Sequence, residues 1–201
     1  MVSDFKEKGF CVKNSVFTPE VLHTLSSEFD RIVSQLQESG ENINARWGSE
    51  LTKDIEQSET QVIHTHNVQS YSAEMMAMIQ SKILLDNVEK LIGPDIILHH
   101  SKLFLKPPGK GSAFPLHQDW SYFPTEKNSM IAAVIHLTES DEEMGCMRIV
   151  PGSHRLGQIE KTDGHSFVKG VHDRYQLEDA EPIIAGPGDV VFFHCCSLHG
   201  S

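Results

Sequence analysis

The sequence predicts an α+β fold with a mainly β core, an antiparallel sandwich or jelly roll carrying helices on its N-terminal side. Helical periodicity is confined to the first 93 residues. From residue 94 onward, strand-like segments follow one another through turn-rich connections, with no helical pattern between them. Runs of helices followed by runs of strands favour this class over a doubly wound parallel sheet. The length of 201 residues suits a single domain, 1–201, with a helical part at 1–93 and a β core at 94–201. A hydrophobic content of 39% is enough to build a core, and no repeat or low-complexity tract interrupts the chain.

The elements follow in order. Residues 9–14 (Gly-Phe-Cys-Val-Lys-Asn) alternate like a short strand. Thr18-Pro19-Glu20 is a helix start, with an N-cap threonine, proline in the first turn and an acid beside it. Val21, Leu22, Leu25, Phe29, Ile32, Val33 and Leu36 continue it at three- and four-residue spacing, giving an apolar stripe for the core. Residues 40–60 are polar and aperiodic, a long loop or a lid over a site, with Trp47 either in the lid or in ordinary packing. His64 and His66 form an H-x-H pair expected on a polar pocket wall or the surface. Met75, Met76 and Met78 are expected to fill irregular core gaps. A helix over 81–92 stops at Gly93-Pro94. Residues 95–106 then read as one long strand, and 130–138, 146–150, 181–185 and 189–194 as further strands. Pro151-Gly152-Ser153-His154 and Gly186-Pro187-Gly188-Asp189 are turns between them.

Composition narrows the function. A formal net charge of −11 leaves no basic stripe for phosphates, which argues against nucleic acid but not against a small anionic substrate. The longest apolar runs fall far short of a membrane span, and the first residues carry no hydrophobic signal region. Cysteines 11, 146, 195 and 196 lack C-x-x-C spacing, so neither a disulfide framework nor a zinc ribbon is expected. A reducing intracellular setting fits them, cytoplasmic by default, with peroxisome and mitochondrion open.

Chemistry concentrates at His117-Gln118-Asp119. In an extended segment residues two apart share a face, so His117 and Asp119 aim an imidazole and a carboxylate at one point while Gln118 faces away. Two ligands are too few for a tight metal site, and the third candidate is His194 or His199. Two histidines and one carboxylate, leaving positions open, are the facial triad of non-heme Fe(II) oxygenases.

Three stretches carry a wider resemblance: 114–119 (Phe-Pro-Leu-His-Gln-Asp), 144–154 (Met-Gly-Cys-Met-Arg-Ile-Val-Pro-Gly-Ser-His), and 188–194 continuing through His199-Gly200-Ser201. With the opening strand and capped helix, they make the chain similar to the phytanoyl-CoA dioxygenase (PhyH-like) family of Fe(II)- and 2-oxoglutarate-dependent oxygenases over nearly its whole length. The resemblance implies a double-stranded β-helix, a cupin-like jelly roll with flanking helices. It assigns His117, Asp119 and His199 as the iron ligands and leaves His194 as a buried structural histidine. It places Ser201 on the co-substrate carboxylate and Lys102 near the co-substrate, where an exposed strand lysine is the alternative. The family also carries an arginine roughly ten residues beyond the distal histidine that pairs with the far carboxylate of 2-oxoglutarate. The chain stops at Ser201, so the last strand and that arginine are expected to be missing, as in a fragment or short isoform.

The implied activity is hydroxylation of an aliphatic C–H of a small-molecule or acyl-type substrate. Fe(II), 2-oxoglutarate and O2 are consumed or held, succinate and CO2 are released, and ascorbate serves as a reductant. Aspartate as the carboxylate ligand favours hydroxylation over halogenation. Gln118 touches substrate or co-substrate, or makes a structural hydrogen bond. Trp120, Tyr122 and Phe123 wall the pocket or pack the core, and Arg148 steadies an anion or holds an ordinary strand position. Two rivals stand beside this reading: a catalytically silent metal-binding module, and a cupin-like metalloenzyme needing no co-substrate. Substrate and oligomeric state are not legible.

Overall fold

The computed structural model describes residues 1–40, 63–109, 111–159 and 171–201. The expected lid over 40–60, Trp47 included, lies almost wholly outside them. In chain order the elements are α1 (Val2–Lys8), β1 (Phe10–Lys13), α2 (Pro19–Glu38), β2 (Ile63–His66), α3 (Ala73–Ile79), α4 (Lys82–Ile92), β3 (Lys102–Leu105), β4 (Ile131–Ile135), β5 (Arg148–Ile149), α5 (Val171–Arg174), β6 (Glu181–Pro182), β7 (Val190–His194) and β8 (His199–Gly200). They fall into two compact units. One holds residues 1–15 with the described part of 113–201, and the other holds residues 16–40 with the described part of 63–112.

The first unit carries the candidate site on two antiparallel sheets. Its larger sheet has the order β1-β7-β4, so the N-terminal strand pairs with one near the C-terminus, Phe10 opposite Phe193. β7 is central and reads Val-Val-Phe-Phe-His. A strand flanked on both edges and covered on both faces needs such an unbroken apolar run, and Val190 through Phe193 are all buried. The smaller sheet has the order β6-β5-β8. Phe10, Val191 and Phe193 of the larger sheet meet Ile149 of the smaller one, with Ile183 and Ala185, in one apolar cluster. Each such side chain contributes about 1.5–3 kcal/mol by leaving water.

α1 was not legible as a helix from hydrophobic period alone, since only Phe5 is buried. Its end at Gly9 is forced: the residue has φ 84°, and a side chain there would strike the His154 ring, with Nδ1 2.4 Å from the added carbon.

In the second unit α2 begins at Thr18 and Pro19 as the sequence predicts and buries Leu25, Ile32, Val33 and Leu36, while Val21 stays exposed. Met75, Met76 and Met78 lie on a helix, α3, and not in irregular gaps. Ser72 caps it by accepting the Met75 amide at 3.2 Å, and only Met75 is buried. α4 runs to Gly93 as expected. The long strand expected over 95–106 is realised only as β3, because its partner β2 offers just four residues. Asn67, at φ 56°, turns the chain into a short 3₁₀ segment and ends the ladder. Ile97 and Leu98 are consequently left exposed. No helix among the described residues is long and apolar enough to cross a membrane.

Candidate metal centre

Alternation builds the first half of the site. Leu116 and Gln118 are buried at 2% and 1% exposure, so His117 and Asp119 project the other way. β8 builds the second half. His117 and His199 face each other as an antiparallel pair and exchange both backbone hydrogen bonds, at 2.9 and 3.0 Å. The ladder then steps over Pro115, which has no N–H to give, and resumes between Phe114 and Ser201 at 2.6 and 2.9 Å. Residues 82 positions apart in sequence thus bring their imidazoles to a centroid separation of 4.3 Å.

The rings are oriented as well as placed. His117 Nδ1 is 2.8 Å from the Pro115 carbonyl, and His199 Nδ1 is 3.0 Å from the Ser197 carbonyl. A carbonyl only accepts, so Nδ1 carries a proton in each ring, and in the neutral form Nε2 presents its lone pair. Those two Nε2 atoms lie 3.9 and 3.5 Å from one Asp119 carboxylate oxygen, and the three ligand atoms all sit within 4.8 Å of one another. Two imidazole lone pairs and a carboxylate converging from one side, each imidazole tied from behind to a carbonyl, fit a divalent first-row metal with further positions open. Burial acts to depress the His199 pKa, yet the Asp119 carboxylate and the Ser197 carbonyl outweigh it and hold the group above its ordinary value. Phe193 packs on His199 with centroids 4.3 Å apart, and Tyr122 stands edge-on to His117 at 5.9 Å.

Three residues fix this arrangement from outside it. Gly200 is glycine because β8 approaches the neighbouring chain so closely that a Cβ would lie 2.4 Å from the Phe114 carbonyl oxygen. Gln118 donates both amide protons to backbone, to Gly157 O at 2.8 Å and Cys196 O at 2.7 Å, and accepts from the Ile159 amide at 3.0 Å. Of the two roles open to it, these bonds are the structural one. Ser153, in the Pro-Gly-Ser-His turn, donates to Val150 O at 2.7 Å and accepts from the Leu198 amide at 2.8 Å. The sequence marks Ser153 only as a turn residue. Its bond to the residue before His199 is long-range, and no local pattern announces it.

The remaining candidates are placed as follows. His194 ends β7, half-buried, its Nδ1 accepting the Cys196 amide at 3.0 Å and its ring 5.7 Å from that of His154. It does not join the triad, and His199 does. Ser201 pairs through its backbone with Phe114. Lys102 belongs to the second unit, on β3, with its ammonium 4.3 Å from the Phe104 ring. It faces the H-x-H strand, where burial first and the Lys102 charge second lower the pKa of His64 and of His66. Trp120 donates its indole N–H to Thr125 O at 3.3 Å. Arg148 pairs with Glu142 and donates to the Glu178 and Ala180 carbonyls at 3.2 and 3.1 Å, which is the strand-position role.

The chain matches the family described as Phytanoyl-CoA dioxygenase (PhyH) over residues 5–201. It is 28% identical over 208 residues to the peroxisomal phytanoyl-CoA dioxygenase of Mus musculus, covering 98% of this chain and 61% of that protein. The ectoine dioxygenase of Bordetella parapertussis is 23% identical over 219 residues, covering 100% of this chain and 68% of that protein. Among solved structures, the epimerase SnoN in complex with Fe3+, alpha ketoglutarate and nogalamycin RO superposes with a TM-score of 0.79 at 20% identity, over 99% of this chain and 74% of that one. EctD from S. alaskensis with 2-oxoglutarate and 5-hydroxyectoine gives 0.73 at 19%, over 99% and 68%. The fold is therefore shared with these enzymes, and the chain spans about three-fifths of the length of the peroxisomal relative.

Proposed function

The chain belongs to the phytanoyl-CoA dioxygenase family, and from that premise we propose that it is an Fe(II)- and 2-oxoglutarate-dependent oxygenase built on a jelly-roll core. One observation carries the reading: the two Nε2 atoms and one carboxylate oxygen converge within 4.8 Å, with both Nδ1 protons held by carbonyls. His117, Asp119 and His199 would hold the iron. Fe(II), with 2-oxoglutarate and O2 as co-substrates, would supply the oxidising chemistry for hydroxylating an aliphatic C–H, with succinate and CO2 as co-products.

The residues around the triad set its geometry and its access. Gln118 and Ser153 fix the two ligand-bearing segments, and Phe193 and Tyr122 limit how the imidazoles can turn. By resemblance to the family, Ser201 is assigned to a co-substrate carboxylate and Lys102 to the vicinity of the co-substrate. The substrate is a small molecule. Relatives named for phytanoyl-CoA and for ectoine bracket the class, from an acyl thioester to a compact metabolite.

The test is an anaerobic titration with Fe(II) and then 2-oxoglutarate, read by the visible absorption that a 2-oxo acid produces beside ferrous iron. Absorption in the wild type that is lost in His117→Ala supports the reading. Iron binding without that absorption would reduce the chain to a metal-binding module. Failure of the folded chain to bind iron would remove the centre altogether.

A further inference from the structure

A second group of ligating side chains lies at the end of β7 and on the turn that follows it. Cys195 Sγ is 3.9 Å from His194 Nδ1 and 4.0 Å from Cys196 Sγ, and the three ligand atoms all lie within 4.8 Å of one another. A buried cysteine alone packs as a small apolar side chain. Cys11 and Cys146 fit that description, since neither joins another ligating group among the described residues. The pair at 195 and 196 differs: two sulfurs and an imidazole nitrogen surround one point.

We propose that His194, Cys195 and Cys196 form a second metal site that takes a thiophilic closed-shell ion, Cu(I) above all. Spacing is the first reason. With two of the donor separations near 4 Å and the third under 4.8 Å, an ion among them sits at close to the metal–thiolate bond length of about 2.3 Å. Donor chemistry is the second. Two thiolates and one imidazole are a soft set, whereas the His-Asp-His centre offers only nitrogen and oxygen, so the two sites select different metals. Competition is the third. The His194 lone pair now accepts the Cys196 amide, and an ion must displace that bond, which favours one that gains most from the sulfurs.

The site is wired to the iron ligands through backbone. The Cys195 carbonyl accepts the Trp120 amide at 2.9 Å, and the Cys196 carbonyl accepts the Gln118 side chain at 2.7 Å. An ion on the sulfurs therefore loads the segment that carries His117 and Asp119. Both sulfurs are shielded from water, at 1% and 0% exposure of their residues, so a held ion exchanges slowly.

The experiment equilibrates the reduced chain under nitrogen with Cu(I) supplied by a chromophoric chelator, in a His117→Ala background that disables the triad. X-ray absorption then identifies the atoms around copper. The expected result is one Cu(I) per chain with two sulfur neighbours at about 2.3 Å. Retention should fall more than about 100-fold in Cys195→Ala and Cys196→Ala, since even an outer-shell loss costs 10–100-fold. Copper with only nitrogen and oxygen neighbours, or no copper on the folded chain, overturns the proposal, as does equal retention by folded cysteine variants. If a variant does not fold, the absorption spectrum of the parent chain decides alone. Loss of the 2-oxoglutarate signal in the first titration leaves this outcome untouched, so the two readings fail separately.

Discussion

Ser153 accepts the Leu198 amide at 2.8 Å, and Leu198 accepts the Val150 amide at 2.9 Å, so the Pro-Gly-Ser-His turn is bolted to the residue that precedes His199. Ser153 is 3% exposed, which leaves no water to take its place. Ser153→Ala strands a buried amide and should cost about 1–3 kcal/mol. The expected outcome is a lower Tm, faster hydrogen exchange at the Leu198 amide and weaker iron binding. Ser153→Thr keeps the hydroxyl and should restore part of each. Unchanged exchange at Leu198 would show that the turn does not hold the ligand strand.

Gly200 gives a sharper test, because two of its three nearest neighbours are backbone. A Cβ would lie 2.4 Å from Phe114 O and 3.1 Å from the Pro115 carbonyl carbon, neither of which can rotate away. Gly200→Ala must push β8 off the Phe114–His117 segment, at an overpacking cost of about 1–3 kcal/mol. Iron affinity should fall with it, since the His117–His199 pairing is what sets the two imidazoles side by side. Gly111→Ala, where the nearest contact is the Lys106 Cβ at 3.4 Å, is the control and should leave Tm almost unchanged. Equal behaviour of the two variants in a thermal melt would sink this account.

The two halves of the candidate centre differ in how legible they are. His117 and Asp119 follow from period-two alternation, a local rule that any extended segment obeys. Choosing between His194 and His199 required the family resemblance. In the structure the choice depends on a strand pairing between residues 117 and 199, which local pattern does not encode. Ser153 and Gly200 escape for the same reason, one acting through a long-range amide and the other through a close approach. Among the helices, α3 was hidden by its three methionines, although Ser72 and Glu74 at its start are ordinary cap signals. The strand expected over 95–106 was too long because strand length is set by the partner, and β2 is short.

Gln118 separates a brace from a ligand contact. Its amide satisfies three backbone groups, at Gly157, Cys196 and Ile159, and it is 1% exposed. Gln118→Leu should cost about 3 kcal/mol, three bonds at about 1 kcal/mol each. Gln118→Glu should be worse at neutral pH, because a carboxylate would face two carbonyl oxygens. Lowering the pH protonates that carboxyl and lets it donate to one of them. The expected signature in urea unfolding is a Glu variant that gains on the Leu variant between pH 8 and pH 5. A pH-independent difference between the two would mean the side chain does not face those carbonyls.

Protons should act on the metal-free chain in two opposite directions. Burial raises the Asp189 pKa, but hydrogen bonds from the Gly186 and Ser15 amides and the Asn14 side chain, at 2.9, 2.8 and 2.9 Å, outweigh it and leave the group below its ordinary value. A depressed folded pKa gives stability that is present above the unfolded value, near 3.9, and lost as pH falls through the folded one. His199 is the reverse. Its folded pKa is raised, so its contribution is complete below the unfolded value, near 6.5, and lost as pH rises through the folded one. In chelator, Tm should therefore decline on the acid side below about pH 4 and again on the alkaline side above about pH 6.5. Asp189→Asn should flatten only the acid limb, and His199→Gln only the alkaline one. Iron must take the Nε2 position from that same proton, so Fe(II) affinity should climb over the range in which the metal-free chain loses its His199 contribution. Parallel loss of both at rising pH would show that His199 does not titrate against Asp119.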